Sequence, residues 1–187
     1  MPIPTEPIGS IPRPPELLAA MRTRAARQIS DEQFHAAEES ALRDTMSHLE
    51  ATGSPVITDG EQSKPSFATY PLVGLENLAA DGVTIPFADG HTRQLPLLTR
   101  GPFRYGVHAV TYLRAAQRYA HRPVKQAVIS ASALSLLYPQ SGLDGYTFLE
   151  DLVRDAARDS AASAISWPST PPGQTQRSSR LLVLKPF

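Results

Sequence analysis

Apolar positions divide the chain into alternating helical and extended stretches. Residues 3–11 read as a short extended segment closing in a Gly9-Ser10 turn, and Pro12 and Pro14 exclude an early helix. Pro15 suits the first turn of a helix over "ELLAAMRTRAARQ". The clearest helix follows. Ser30-Asp31-Glu32-Gln33 has the spacing of a capping box, and Phe34, Ala41, Leu42, Thr45, Met46 and Leu49 share one face. Gly53 is its expected stop. The run Pro55 to Thr58 then reads as a buried strand that feeds directly into Asp59-Gly60-Glu61-Gln62.

Residues 70–103 are irregular apart from one hairpin. Val83, Ile85 and Phe87 alternate, Asp89-Gly90 makes the turn, and Leu95 and Leu97 lead back. Pro86 and Pro96 mark its strands as edges or as an excursion from the main sheet. Arg104 to Ala120 reads as a helix with Val107, Val110, Leu113 and Ala116 or Ala120 inward. Val124 to Ser130 reads as a second buried strand, and "ASALSLLYPQ" as its following loop or short helix, a core-packing run rather than a cofactor box. Thr147-Phe148-Leu149-Glu150, another capping box, opens a further helix, expected to bury Phe148, Leu149, Leu152, Val153 and Ala156. Strands alternating with helices predict an α/β architecture with parallel strands. Three or four strand–helix units fit, short of the eight that take about 250 residues in a closed barrel.

Composition narrows the function classes. The chain has 187 residues, and Lys plus Arg equal Asp plus Glu at 18 each, so its formal net charge is zero. That leaves no general electrostatic pull toward nucleic acid or an anionic membrane, and Arg22, Arg24 and Arg27 read as a solvated helix face. No cysteine is present, which excludes disulfides and thiolate metal sites within the chain. Prolines interrupt the N-terminus where a signal peptide needs an apolar core, and no apolar run nears the roughly 20 residues of a membrane helix. The expectation is a soluble, cytoplasmic protein.

The acids at the strand end have two readings, a solvated turn or a functional cluster. His91 reads as a loop residue after an Asp-Gly turn, His108 as a surface or packing residue, and His35, His48 and His121 carry no assigned role. The separate stretches "PIGSIPRPPEL" at 7–17, "ITDGEQSKPSF" at 57–67 and "KQAVISASALSLLYP" at 125–139 point further. In that order they resemble the catalytic barrel of cobalamin-independent methionine synthase and its single-domain relatives, a branch of the superfamily shared with uroporphyrinogen decarboxylase. The resemblance runs from about Thr5 to about Asp159.

It implies an incomplete (β/α)8 TIM-type barrel over residues 1–159, with the hairpin as an excursion. It also implies methyl transfer from a folate to the sulfur of homocysteine. Ile8, Gly9 and Ser10 would hold the amino-acid end of homocysteine, and Glu61, 51 positions beyond Ser10, would bind the same group. Arg93, after Thr92, is the candidate folate contact, and Tyr138 falls near the family's pterin-packing tryptophan. The chemistry fits: the turn offers peptide N–H groups and a hydroxyl to a carboxylate, and Glu61 offers negative charge to an ammonium group. His91 and Arg93 would add positive charge toward a carboxylated tail. None of these residues is a nucleophile, so no catalytic residue is assigned.

The family activates the substrate thiol with zinc, held by a histidine, two cysteines and a glutamate from later strands. This chain has no cysteine, so no metal ligand is assigned and the chain is expected to be inactive alone. Residues 160–187 lack Asp and Glu and read as a disordered tail: a linker, or sequence from another reading frame or a retained intron. An open barrel would expose strand edges and favour self-association. The alternatives are a non-catalytic fragment, an interaction partner of a full-length paralogue, or a relative acting on another thiol.

Overall fold

A computed structural model describes residues 5–164. Helix α1 (Pro15–Ala25) starts on the predicted proline and buries Leu17. Helix α2 (Asp31–Ala51) starts on the predicted capping box: the Ser30 hydroxyl accepts from Gln33 N–H, and the Gln33 side chain accepts from Ser30 N–H. Its buried face is Phe34, Ala41, Leu42, Thr45 and Met46. Strand β1 (Ile57–Thr58) follows at once and carries the chain into the acid cluster.

β2 (Leu78–Ala79), β3 (Thr84–Pro86), β4 (Thr92–Gln94) and β5 (Leu97–Leu98) form two short antiparallel pairs. β3–β4 is the predicted hairpin, turning at residues 87–91. Helix α3 (Ala109–Gln117) precedes strand β6 (Val124–Lys125), which pairs with β1 in parallel, Ile57 opposite Val124. α4 (Ala131–Leu134) and α5 (Phe148–Ala164) complete the order.

The α/β class and the parallel pairing of the two expected strands are therefore present. The described residues close no barrel: they form three two-stranded sheets, and only β1–β6 is parallel. Residues 5–11, expected to be extended, run beside the end of β1 without a regular ladder; Ile11 N–H donates to Gly60 O at 3.1 Å and the Thr58 hydroxyl to Gly9 O at 3.1 Å. The expected boundary after residue 159 falls inside α5, and the tail beyond Ala164 lies outside the described residues. Among the described residues no helix is long and apolar enough to cross a membrane.

Two expectations are corrected. The helix foreseen from Arg104 begins only at Ala109, because the N–H groups of Phe103, Tyr105 and Gly106 are taken by distant partners. Gly106 N–H donates to Pro71 O at 2.7 Å, and a Cβ there would lie 2.0 Å from Val73 O. On α5, Phe148 and Leu152 are buried as expected, but Leu149 and Val153 are 66% and 51% exposed. The inward face instead carries Asp151, Asp155 and Asp159, one helical turn apart.

Those aspartates explain how α5 is docked. Asp155 accepts from Tyr105 N–H at 2.9 Å, and Asp159 from Ala109 N–H at 2.6 Å. Since His108 supplies no side-chain cap, Asp159 caps α3 from another helix. The Tyr70 hydroxyl, buried in the largest core cluster with Leu98, Phe103, Leu134, Leu137 and Leu152, also donates to Asp159. A second cluster joins Leu42 and Met46 of α2 to Ile57 and Ala116. Burying each such large apolar side chain contributes roughly 1.5–3 kcal/mol.

Asp151 accepts from the Tyr146 hydroxyl at 2.7 Å, from Arg104 at 2.6 Å, and from Arg154. Burial alone would raise its pKa, but these partners outweigh it and hold the carboxyl at about 2. A carboxyl depressed in the folded state stabilises above its unfolded value, about 3.9, and that contribution fades as pH falls toward the folded value. Asp151→Asn should therefore flatten the acid limb: between pH about 4 and about 2 its urea midpoint falls less than the wild-type midpoint. Parallel acid limbs would remove Asp151 from this role.

Candidate functional site

The C-terminal end of β1 converges with residues 8–13 and with the continuation of β6 on a buried polar cluster. Thr58, Asp59, Glu61, Gln62, Lys64 and Gln126 are all buried there. Such a cluster survives only if its members find partners. Asp59 accepts from Glu61 N–H at 3.0 Å and from the Gln126 amide at 3.1 Å, so it organises the loop.

The loop takes an unusual path. Gly60 and Glu61 both have positive φ, +62° and +56°. For a non-glycine residue that conformation costs on the order of 1 kcal/mol or more and persists where its surroundings over-determine it. Arg13 supplies much of that determination. Its guanidinium donates to the carbonyls of Glu61 at 3.2 Å, Gln62 at 3.4 Å, and Lys64.

The result is to aim the Glu61 carboxylate at the 8–10 turn. The Ser10 hydroxyl donates to Glu61 Oε2. Gly9 is buried beside it, and a Cβ on Gly9 would lie 3.8 Å from Glu61 Oε1 and 3.6 Å from Ala127 Cβ. Those are ordinary contacts, and Gly9 has no positive φ, so its smallness leaves room beside the carboxylate rather than enabling a strained turn.

Behind Glu61 lies Lys64, whose side chain has no exposed surface. Its Nζ donates to Ala127 O at 2.7 Å and sits 3.7 Å from Glu61 Oε1. It also lies 4.7 Å from the centre of the Tyr70 ring and 5.7 Å from that of Tyr112. Burial lowers the Lys64 pKa, while Asp59, Glu61 and Asp159 oppose the shift. Burial likewise raises the Asp159 pKa against the Tyr70 hydroxyl, Ala109 N–H, His108 and Lys64.

The six expected site residues thus separate. Gly9, Ser10 and Glu61 are brought together, and Ile8 belongs to the same turn but is 71% exposed. Arg93 stands in the exposed strand β4 opposite Ile85. Tyr138 donates its hydroxyl to Tyr146 O, accepts from Leu143 N–H, and stacks on Phe148 at 5.6 Å. It is half-buried and packed against the core cluster. His91 is the expected loop residue, stacked on Phe87 at 4.3 Å with Nδ1 2.5 Å from Asp89.

Sequence reasoning missed Arg13, Lys64 and Asp159. Arg13 had one usable signal, a cation fixed between prolines next to the predicted turn. What the cluster offers chemically is a carboxylate and a hydroxyl at a backbone turn, suited to a small molecule with an ammonium group. The residues do not fit the zinc of the resemblance. The chain has no cysteine, and among the described residues no group of three or more His, Asp or Glu could hold a metal ion.

Comparison with solved structures gives the fold a context. The chain is similar to a B12-independent methionine synthase from Shewanella sp. W3-18-1, solved in complex with selenomethionine. The TM-score is 0.59 at 19% identity, over 85% of this chain and 48% of that one. It is also similar to a Listeria monocytogenes protein assigned as a vitamin-B12 independent methionine synthase, with TM-score 0.52 and 19% identity over 84% and 45% of the two chains. The likeness is one of fold. This chain spans about half the length of both structures. No protein-family profile and no curated protein matches the chain.

Gly60 offers a direct test of the loop. A Cβ at Gly60 would lie 2.7 Å from Ile11 Cγ1 and 2.9 Å from Thr45 Cγ2, whereas one at Gly53, φ +77°, would meet nothing within 4 Å. Gly53→Ala should cost about 1–2 kcal/mol, from backbone conformation alone. Gly60→Ala should cost at least about 1 kcal/mol more, from overpacking, in urea unfolding. Equal losses would mean that Ile11 and Thr45 yield freely and do not pin the loop.

Proposed function

We propose that this chain carries the amino-acid-binding site of a methionine-synthase-like thiol methyltransferase, built on the opening strand–helix units of a (β/α)8 barrel. The Ser10 hydroxyl on the Glu61 carboxylate carries the reading. These two residues, 51 positions apart, meet at the end of a parallel strand, as the sequence resemblance anticipates. Glu61 would take the ligand's ammonium group, and the 8–10 turn with Ser10 its carboxylate. The left-handed backbone of Glu61, held by Arg13, supports a role beyond a turn. So does the Shewanella neighbour, whose bound selenomethionine is itself a zwitterionic amino acid.

The proposed role is recognition of the amino acid. Thiol activation by zinc has no ligand set among the described residues, so no methyl-transfer step is derived from this chain. The folate contacts that the resemblance implies, Arg93 and Tyr138, lie on the exposed hairpin and against the core cluster, and the proposal does not draw on them.

Calorimetric titration with L-methionine and with its des-amino analogue, 4-(methylthio)butanoate, tests this. L-methionine should bind at least about tenfold more tightly, a difference of ~1.4 kcal/mol. Glu61→Gln should reduce it to the level of the analogue in a protein that still unfolds cooperatively in urea. Equal affinities for the two ligands, or no binding of L-methionine, would overturn the proposal.

A further inference from the structure

Lys64 has no part in the ligand contacts proposed above, yet its burial is hard to explain as packing. A lysine with no exposed surface is rare unless it is matched by partners. Three carboxylates act on its charge: Glu61, 3.7 Å from Nζ, Asp59 from the same loop after β1, and Asp159 from α5. Tyr70 and Tyr112 present ring faces, and the continuation of β6 presents the Ala127 carbonyl. The nearby cation, Arg13, is turned to backbone carbonyls, including that of Lys64.

Among the charged partners Glu61 stands apart. Asp59 is held by Glu61 N–H and Gln126, and Asp159 by the Tyr70 hydroxyl and Ala109 N–H. Glu61 has one oxygen on the exposed residue Ser10 and the other 3.7 Å from Lys64 Nζ. The same carboxylate thus faces an interior cation on one side and the entry turn on the other.

We propose that Lys64 is a displaceable counter-cation for Glu61: whatever neutralises Glu61, an arriving ammonium group above all, drives the proton off Lys64 Nζ into solvent. The ammonium case rests on the amino-acid reading of the site; the Glu61–Lys64 coupling does not. Two cations on one buried carboxylate repel at short range in a medium that screens poorly. The proton on Lys64 is the one that can leave, since burial already works against it. A neutral amine still donates to Ala127 O, so the fold keeps that hydrogen bond. Lys64 is then a positioning residue that makes the site demand a ligand with its own positive charge.

The first measurement needs no ligand. With 13C-labelled lysine, the titration of Lys64 is followed by NMR beside Lys125 and Lys185, the chain's other lysines. Glu61→Gln should lower its midpoint by about one pH unit or more, a tenfold change in proton affinity. An unchanged midpoint overturns the proposal.

The second measurement is calorimetry of L-methionine binding in buffers of different ionisation enthalpy, at a pH where Lys64 is protonated. The wild type should release a proton, and Lys64→Met should bind without releasing one. Equal release from both, or none from the wild type, overturns the proposal. If Lys64→Met does not fold, Lys64→Gln serves the same comparison. Should L-methionine not bind while Glu61→Gln still shifts the titration, the amino-acid reading fails and the Glu61–Lys64 coupling stands.

Discussion

An ammonium group taken wholly out of water has to be surrounded by compensating charge, and the position of Lys64 imposes that constraint here. The effective penalty for burying one ion is several kcal/mol, and breaking up its partners leaves it uncompensated. Its partners come from well-separated stretches: residues 59–61 at the end of β1, the carbonyl of Ala127 beyond β6, and Asp159 on α5. They can act on one nitrogen only if β1 and β6 lie side by side and α5 is docked against α3. Packing of Ile57, Met46 and Ala116 brings the strands and helices close, and the charge cluster makes the arrangement specific.

The same constraint links fold to function. A carboxylate held between an interior lysine and an exposed hydroxyl is oriented before any ligand arrives. The clamp of Arg13 on the 61–64 carbonyls makes that orientation rigid. Preorganised charge of this kind suits recognition of a small zwitterion. Activating a thiol is a separate task that calls for a soft-ligand metal site. On the proposed reading, the grip on the amino-acid end and the chemistry at sulfur are separable properties.

Local signals in the sequence were read correctly where local forces decide. The capping box at Ser30, the Asp89-Gly90 hairpin and the strand beginning near Ile57 are set by neighbours in the chain. The meeting of Ser10 and Glu61 was legible through the resemblance, in which both residues sit in quotable motifs. What escaped was decided at a distance. Lys64 stands in a polar stretch, "EQSKPS", where nothing local signals burial. On α5 the apolar pair Leu149 and Val153 suggested the inward face, although Asp151, Asp155 and Asp159 mark a stripe of their own. An aspartate stripe reads as solvated unless one knows that the N–H groups of Tyr105 and Ala109 await it. The late start of α3 has a similar cause, since Gly106 is tied to Pro71, far back in the chain.

The cap that Asp159 places on α3 has a consequence for the birth of the protein on the ribosome. The first turn of α3 and its acceptor are 50 residues apart, and so are Tyr105 and Asp155. Until the last turns of α5 leave the exit tunnel, α3 lacks its cap and the Tyr70 hydroxyl lacks its carboxylate. α1 and α2 can form early from their own sequence, but the half of the molecule around α3 must wait for α5. α1 and α2, which pack on each other, need nothing from later in the chain, whereas the charged centre is complete only once α5 has docked.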